Sequence, residues 1–288
     1  MVDITNYLIK SNANNPFSNQ PIVDVNAAVW THIKSKPIRV ILYIIFAGIS
    51  IYATYKTGEG TLLGIAVFVG IFLYTKLYLA AREAFMRQFA ENNGYEFMKE
   101  GTIPLLEGTA FTRGHSQRMS DVVRGTFAGQ IFQLFIFSYT VGHGKRSHTY
   151  SSTVFELDFD KPMPHMILTS KSYAGGFSTD ESNLRSIMLE GDFSNYFTFY
   201  VPEKLEIEAL EIFTPDVMHE MISFAKAYSI EFIDDKIYVY YGRQVTKLHT
   251  LEDMYRLAQM MHDRMTNFLS KKPDQWFYTR EQIKSPQA

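Results

Sequence analysis

The 288-residue sequence contains no cysteine, so disulfide bonds, thiolate catalysis, iron–sulfur clusters and cysteine-based zinc sites are excluded. The phosphate-binding loops GxxxxGK(S/T) and GxGxxG are missing, as are the HExxH zinc motif and the GxSxG nucleophile elbow. The formal net charge is -2, without the basic excess that nucleic-acid-binding proteins usually have. The sequence therefore assigns no catalytic residue, no cofactor and no metal site, and we expect no nucleic-acid partner.

Two apolar segments lie close together near the N-terminus, at residues 38–55 (IRVILYIIFAGISIYATY) and 61–81 (TLLGIAVFVGIFLYTKLYLAA). As helices they would be about 27 and 31 Å long at roughly 1.5 Å per residue, close to the ~30 Å of a bilayer's hydrocarbon core. Lys76 lies in the second segment, where its stem can extend along the helix to the headgroups. The pattern predicts a transmembrane hairpin; the alternative is a buried helical hairpin in a soluble core.

Basic residues flank the hairpin, whereas the turn between the two segments carries only Lys56, offset by Glu59. The flanking cations are Lys34, Lys36 and Arg39 before it and Lys76, Arg82 and Arg87 near or after its end. Because short basic flanks stay in the cytoplasm, we expect a multi-pass protein of the cell membrane with both termini cytoplasmic. Residues 1–26 have no apolar core, so we expect no signal peptide, although residues 22–33 could form a short interfacial helix.

The second apolar helix is predicted to continue beyond the membrane. Apolar residues recur at helical spacing to Phe89, and Asn92-Asn93-Gly94 then resembles a glycine C-cap. The alternative is a separate helix after a kink. We expect four regions: a polar N-terminal tail (1–37), a transmembrane hairpin with a helical stalk (38–94), a cytoplasmic α+β domain (95–273) and a polar C-terminal tail (274–288).

The first part of the α+β domain reads as an antiparallel hairpin. Residues 130–141 (QIFQLFIFSYTV) are apolar on both faces and predict a central strand. A polar loop at 142–152 precedes a strand at 153–160, where the pattern places Phe155, Leu157 and Phe159 inward and Glu156, Asp158 and Asp160 outward. Residues 166–170 could extend the sheet after breaks at Pro162 and Pro164.

The second part alternates strands and helices. It begins with a strand at 196–201, followed by a helix that starts at Thr214-Pro215 and runs to about residue 227. Residues 229–242 predict strand, turn at Asp234-Asp235, and strand. A last helix, capped by Thr250, is expected to bury a methionine-rich stripe: Leu251, Met254, Leu257, Met261, Met265 and Leu269. The fold class is α+β, with an antiparallel sheet and packed helices after the two-helix hairpin.

One set of residues could bind an anion. It combines the loop Gly142-His143-Gly144-Lys145-Arg146 with the basic segment TRGHSQR, and its members are Arg113, His115, His143, Lys145, Arg146 and His148. Backbone N–H groups and cations of such a loop can cradle an anion. The alternatives are a hairpin loop that needs glycine for its backbone angles and histidines that are solvated or structural.

The run EGDFSNYFTFYVPEKLEIEALEIFTPDVM, which ends at Met218, is followed by IEFIDDKIYVYY. Together they resemble bacterial two-span membrane proteins that are common in candidate-phyla genomes such as Saccharibacteria and, more loosely, the DUF3137 class of membrane proteins. The resemblance implies an N-terminal transmembrane hairpin with a cytoplasmic α+β domain over most of the chain. It assigns no residue a role, because no activity attaches to that group.

Three hypotheses of function follow. The first is a membrane-anchored interaction or sensory module without catalysis. The second is a membrane-tethered enzyme that acts on an anionic substrate. The third is an accessory protein of lipid or envelope machinery, in which Arg82, Arg87, Arg113 and Arg118 would meet anionic headgroups. The lipid bilayer is the expected partner in each, and the first also needs a protein partner.

Overall fold

The structure is a computed structural model, and it describes residues 23–103, 108–127, 129–173, 184–189 and 191–271. The helices are α1 (Val25–Ser35), α2 (Pro37–Thr57), α3 (Thr61–Asn93), α4 (Phe193–Tyr196), α5 (Glu206–Leu210), α6 (Pro215–Phe224) and α7 (Leu248–Ser270). The strands are β1 (Glu96–Glu100), β2 (His115–Phe127), β3 (Gln130–Val141), β4 (His148–Ser170), β5 (Leu184–Ile187), β6 (Phe197–Pro202) and β7 (Tyr228–Tyr241). The predicted α+β class is confirmed. Residues 1–22 of the predicted N-terminal tail and the whole predicted C-terminal tail lie outside the described residues, and the division into four regions stays a prediction.

Helices α2 and α3 are each long and apolar enough to cross a membrane, and only 6% of the most apolar 18-residue stretch of each helix is buried. Their apolar side chains therefore face outward, and the alternative of a hairpin buried in a soluble core is wrong. Pro37 begins α2, and Gly58 ends it with a φ of 73°, a left-handed angle that favours glycine. Between the two helices, the Tyr43 hydroxyl donates to the carbonyl oxygen of Ala66 at 2.7 Å.

Helix α3 runs without a break from the apolar hairpin to Asn93, and Gly94 ends it in the left-handed conformation. The predicted continuation of the second apolar helix to Asn92-Asn93-Gly94 is confirmed, and the alternative of a kink followed by a separate helix is wrong. Within the lower part of α3, Phe85, Met86 and Phe89 are buried against the sheet. One helix thus belongs both to the apolar hairpin and to the core of the α+β domain.

Helix α1 also packs on the body of the protein. Val25 and Val29 are buried, and the backbone N–H of Val25 donates to the carbonyl oxygen of Thr246 at 2.9 Å. An oxygen of Asp24 lies 3.4 Å from the backbone nitrogen of Leu248. Helix α7 therefore begins at Leu248, before the predicted cap Thr250, because its first turn is satisfied by a residue from the other end of the chain.

The seven strands form one antiparallel sheet in the order β1-β2-β3-β4-β6-β5, with β7 also paired to β4. The central strand β3 has the predicted bounds, Gln130–Val141. Strand β4 begins at His148, earlier than predicted, because Val141 pairs directly with His148 across a shorter loop. Helix α6 begins at Pro215 as predicted and ends at Phe224, slightly before the predicted end.

Two predicted interruptions of the sheet are wrong. Strand β4 passes through Pro162 and Pro164 without ending, and β7 passes through Asp234-Asp235 without a turn. The two irregularities face each other: Met163 pairs with Asp234, the β4–β7 register shifts on both sides of Met163, and Asp234 has a φ of 49°. Because bulges tolerate proline, both strands bend together here and continue.

Hydrophobic residues cover both faces of the sheet. One core lies between the sheet and helices α3, α6 and α7, and the predicted methionine-rich stripe of α7 is buried in it. A smaller core on the other face packs Phe111 against Phe137 and Tyr238. Phe155, Leu157 and Phe159 are buried as predicted, but Glu156 is buried as well, since both faces of the sheet are covered at this position.

The stalk is joined to the sheet by a buried ion pair. Nη2 of Arg82, on α3, lies 2.6 Å from Oδ2 of Asp121, on β2, and Nη1 donates to Oε1 of Gln244 at 2.6 Å. Asp121 has a φ of 52° and lies where the β2–β3 register shifts, so a bulge turns its carboxylate towards the helix. Burial raises the pKa of the Asp121 carboxyl above its ordinary value, and the charge of Arg82 opposes that rise.

We expect Arg82→Ala to lower the free energy of unfolding by about 3 to 5 kcal/mol, because it leaves the Asp121 carboxylate buried without its cation. Urea unfolding of the full chain in detergent, followed by circular dichroism, measures this loss. The matched control is Arg118→Ala, which removes the exposed pair with Glu100 and should cost less than about 1 kcal/mol. Equal losses in the two variants would contradict a special role for the buried pair.

Candidate functional site

The structure brings most of the predicted anion-binding residues to one end of the sheet. His115 begins β2 and pairs with Thr140, near the end of β3, while His148 begins β4 and pairs with Val141. The loop between β3 and β4, residues 142–147, contains the others, with Lys145 and Arg146 in a 3-10 turn. Arg113 lies just before β2. Whether these residues bind an anion stays a prediction.

Two histidine rings stack at this end of the sheet. The centroids of His115 and His143 are 4.9 Å apart with an angle of 4° between the ring planes, and Nε2 of His115 lies 2.8 Å from the carbonyl oxygen of Gly142. Gly142 has a φ of 83°, and a Cβ there would collide with the carbonyl oxygen of Arg146. The glycine therefore also has the structural role weighed from the sequence: it allows the hairpin to close.

The cations at this end are solvent-exposed, except Arg113, which is half-buried. Among the residues that the structure describes, no ion pair involves Arg113, Lys145 or Arg146. Two apolar side chains beside them are exposed as well: Val141 and Tyr150, at 41% and 39%. The arrangement is an open, positively charged rim with apolar side chains, which suits an extended anionic surface better than an enclosed small molecule.

One of the arginines named in the lipid hypothesis, Arg82, serves the fold instead. Arg82 is buried and paired with Asp121, so its proposed contact with headgroups is wrong. Arg87 pairs with Glu83 at 3.0 Å, and its guanidinium lies 4.5 Å from the ring centroid of Phe97. Arg87 remains exposed in this ion pair, so exposed basic residues lie both on the stalk and at the ends of the strands.

A buried polar network on the opposite face of the sheet from the helices was missed by sequence analysis. The fully buried Glu231, on β7, accepts hydrogen bonds from the backbone N–H and hydroxyl of Thr109 at 3.0 and 2.8 Å and from the hydroxyl of Tyr240 at 2.7 Å. Nε2 of His165, on β4, lies 2.9 Å from the same carboxylate. The network ties the 3-10 turn Thr109–Thr112 to two strands of the sheet.

No local spacing could have revealed this network, because its members are up to 122 residues apart in sequence. The one available signal was Glu231 itself, an acidic residue inside a strand of apolar residues. Since Glu231 is fully buried and His165 is 5% exposed, a substrate cannot reach the carboxylate, and its full set of hydrogen bonds indicates a structural role. Within the described ranges, no group of three or more acidic, histidine or cysteine side chains could hold a metal ion.

Buried tyrosines are part of both cores. Burial raises the pKa of Tyr240 well above its ordinary value, and the negative charge of Glu231 raises it further. Burial likewise raises the pKa of Tyr255, which packs between Phe132 and Phe155 in the larger core. Both phenols therefore stay protonated in the folded protein at a pH where an unfolded chain would already ionise.

Comparisons with known proteins leave the family open. No protein-family model and no curated protein matches the chain, so the resemblance to two-span membrane proteins of candidate phyla stays a prediction. Among solved structures, the chain is similar to the crystal structure of the mycobacterial trehalose monomycolate transport factor A, TtfA. The TM-score is 0.48 and the identity 12%, over 64% of this chain and 94% of the other. A likeness this distant carries no argument about function.

We expect Glu231→Leu to lower the free energy of unfolding by at least about 3 kcal/mol, because each buried donor left unpaired costs roughly 1 to 3 kcal/mol. Tyr240→Phe is the matched variant: it removes one donor, leaves the carboxylate with its other partners and should cost about 1 kcal/mol. Chemical unfolding of both variants measures the difference. Full stability of Glu231→Leu would contradict the structural role of the network.

The raised pKa values of Tyr240 and Tyr255 predict a loss of stability at high pH. In an unfolded chain, a tyrosine ionises near pH 10, below the pKa in the folded state. The stabilisation is therefore complete below about pH 10 and is lost as the pH rises further. The urea midpoint should fall above that pH, and the fall should be smaller in Tyr255→Phe than in the exposed-site control Tyr150→Phe. An equal fall in both variants would contradict this assignment.

Proposed function

We propose that the chain is a two-span membrane protein whose α+β domain is an interaction module held at the bilayer surface. The observation that carries the proposal is the unbroken helix α3, which is apolar and exposed in its first part and buried against the sheet in its second. Exposed apolar side chains around α2 and α3 are costly in water and favourable in lipid.

The stalk junction supports a rigid attachment. A helix that merely tethered a domain would leave its orientation free, whereas the Arg82–Asp121 pair, Gln244 and the buried face of α3 hold the sheet at a fixed angle to the helix. Helix α1 adds a second contact, since it packs on α3 and bonds to Thr246 through Val25. A domain held this way presents the same surface to the membrane and the same surface away from it.

Of the other two hypotheses, the one of a lipid-associated accessory protein is supported by a specific observation. The basic rim at the ends of β2, β3 and β4 is exposed and contains apolar side chains, as expected of a surface that meets anionic lipid. An enzyme acting on an anionic substrate would use the same cations. Its support is weaker, since the enclosed Glu231 network contributes nothing to the rim.

The absence of native cysteine allows a direct test of membrane insertion and orientation. We expect the full chain to stay with membranes through an alkaline carbonate wash, because its apolar helices are in the bilayer. In intact cells, a membrane-impermeant maleimide should label Glu59→Cys, in the turn after α2, and should label Asn195→Cys, on α4, only after detergent treatment.

Release of the chain by carbonate would contradict insertion, and labelling of Asn195→Cys in intact cells would reverse the proposed orientation. The interaction role has a separate readout. Crosslinking in native membranes should give a discrete protein adduct through the α+β domain, and adducts formed only through α2 and α3 would count against it.

A further inference from the structure

We propose that the tip of strands β2, β3 and β4 binds the anionic headgroups of the same bilayer that holds α2 and α3. The tip is defined as residues 113–119 and 137–151, which include the loop between β3 and β4. This inference rests on the proposed function, because it requires the apolar hairpin to lie in a membrane. It adds a second, peripheral contact between the protein and lipid.

The direction of β1 relative to α3 is the first step. Three contacts join α3 to β1 and to Tyr95, the residue just before β1. The closer a contact lies to the apolar hairpin along α3, the later its partner comes in the sequence of this strand. They are the rings of Phe89 and Tyr95 at 6.1 Å, the guanidinium of Arg87 and the ring of Phe97 at 4.5 Å, and the ion pair of Glu83 and Lys99 at 3.0 Å. Strand β1 therefore runs antiparallel to α3, towards the hairpin.

The direction of β2 is the second step. Strand β2 is antiparallel to β1, with Glu100 opposite Ser120, so the N-terminal end of β2 extends beyond β1 towards the hairpin side. Ser120 is next to Asp121, which contacts Arg82 at the top of the buried part of α3. Everything in β2 before Ser120 thus lies on the hairpin side of the stalk junction.

Strand pairing shows which residues of the other strands lie level with Ser120. Ser120 pairs with Ile136, Ile136 with Thr153, and Thr153 with Tyr241, the last residue of β7. Strands β1 and β7 end at this row, and only β2, β3 and β4 continue past it. The five residues of β3 that follow Ile136, up to Val141, add about 17 Å at roughly 3.3 Å per residue. The tip is therefore a projection on the side of the sheet that faces the membrane.

The chemistry of the tip matches that position. Its two segments contain four arginine or lysine residues, three histidines and no acidic residue: Arg113, Arg118, Lys145 and Arg146, with His115, His143 and His148. Only Arg118 makes an ion pair among the described residues of the tip, with Glu100. Exposed Tyr150 stacks on Tyr139 with centroids 5.5 Å apart, beside exposed Val141. Cations next to exposed aromatic and aliphatic side chains are typical of surfaces that bind anionic membranes.

The experiment uses the full chain with one added cysteine, Ser147→Cys, labelled with a fluorophore and reconstituted into nanodiscs that contain headgroup-attached quencher lipids. We expect stronger quenching in discs with phosphatidylglycerol than in discs of phosphatidylcholine alone. The difference should fall several-fold in Lys145→Glu/Arg146→Glu. It should also fall as the salt concentration rises, because at about 1 M the Debye length is only ~3 Å.

Two controls match these variants. The label on Asn195→Cys lies beside the opposite end of β4 and should be quenched equally little in both kinds of disc. Lys171→Glu/Lys271→Glu makes the same change in net charge at the far ends of β4 and α7 and should leave the quenching at Ser147→Cys unchanged.

Equal quenching at the two label positions in anionic discs would overturn the proposal, as would quenching that survives reversal of the two tip charges. Displacement of the tip by inorganic phosphate at constant ionic strength would also overturn it, because that result indicates a site for a small anion. A chain that enters the discs but keeps its tip away from lipid would overturn this proposal and leave the proposed membrane anchor intact. A chain that fails to enter them would contradict the proposed function as well.

Discussion

The buried ion pair between Arg82 and Asp121 is the constraint on which the arrangement of this protein depends. Two charges are withdrawn from water at the point where an apolar helix becomes a core helix, and each is tolerable only because the other is there. The geometry is demanding, since Asp121 needs a bulge and a positive φ to reach the helix. An apolar contact would tolerate sliding or rotation, whereas this pair accepts one register between helix and sheet.

The Glu231 network applies the same physics on the other face of the sheet. The Glu231 carboxylate has four polar partners: the backbone N–H and hydroxyl of Thr109, the hydroxyl of Tyr240 and Nε2 of His165. Through Thr109 it fixes the 3-10 turn on the sheet, just as the ion pair fixes α3. The sheet is thus held between two layers, each attached through a buried acid that has its own partners. In both cases the acid comes from a strand, and at least one partner comes from another element that is distant in sequence.

Sequence patterns predicted what local periodicity determines and missed what distant partners determine. The bounds of β3, the exposed hairpin, the continuous stalk and the methionine-rich face of α7 all follow from apolar spacing. Pro162 and Asp234 carry strong local signals for a break, yet the strands continue because the two irregularities oppose each other across β4 and β7. Helix α7 starts before Thr250 because Asp24 reaches its first turn, which no pattern around Thr250 could indicate.

The candidate site shows the same division. The loop Gly142–Arg146 was visible as a basic, glycine-bearing motif, but only the strand register joins it to His115 and shows that the tip contains no acid. The net charge of -2 does not reveal this local excess of basic residues, because 28 basic and 30 acidic residues nearly cancel over the whole chain. Electrostatic attraction to a membrane acts over about a Debye length, roughly 10 Å at 0.1 M salt. The charge that matters is therefore that of the surface nearest the bilayer, which the fold determines and the composition does not.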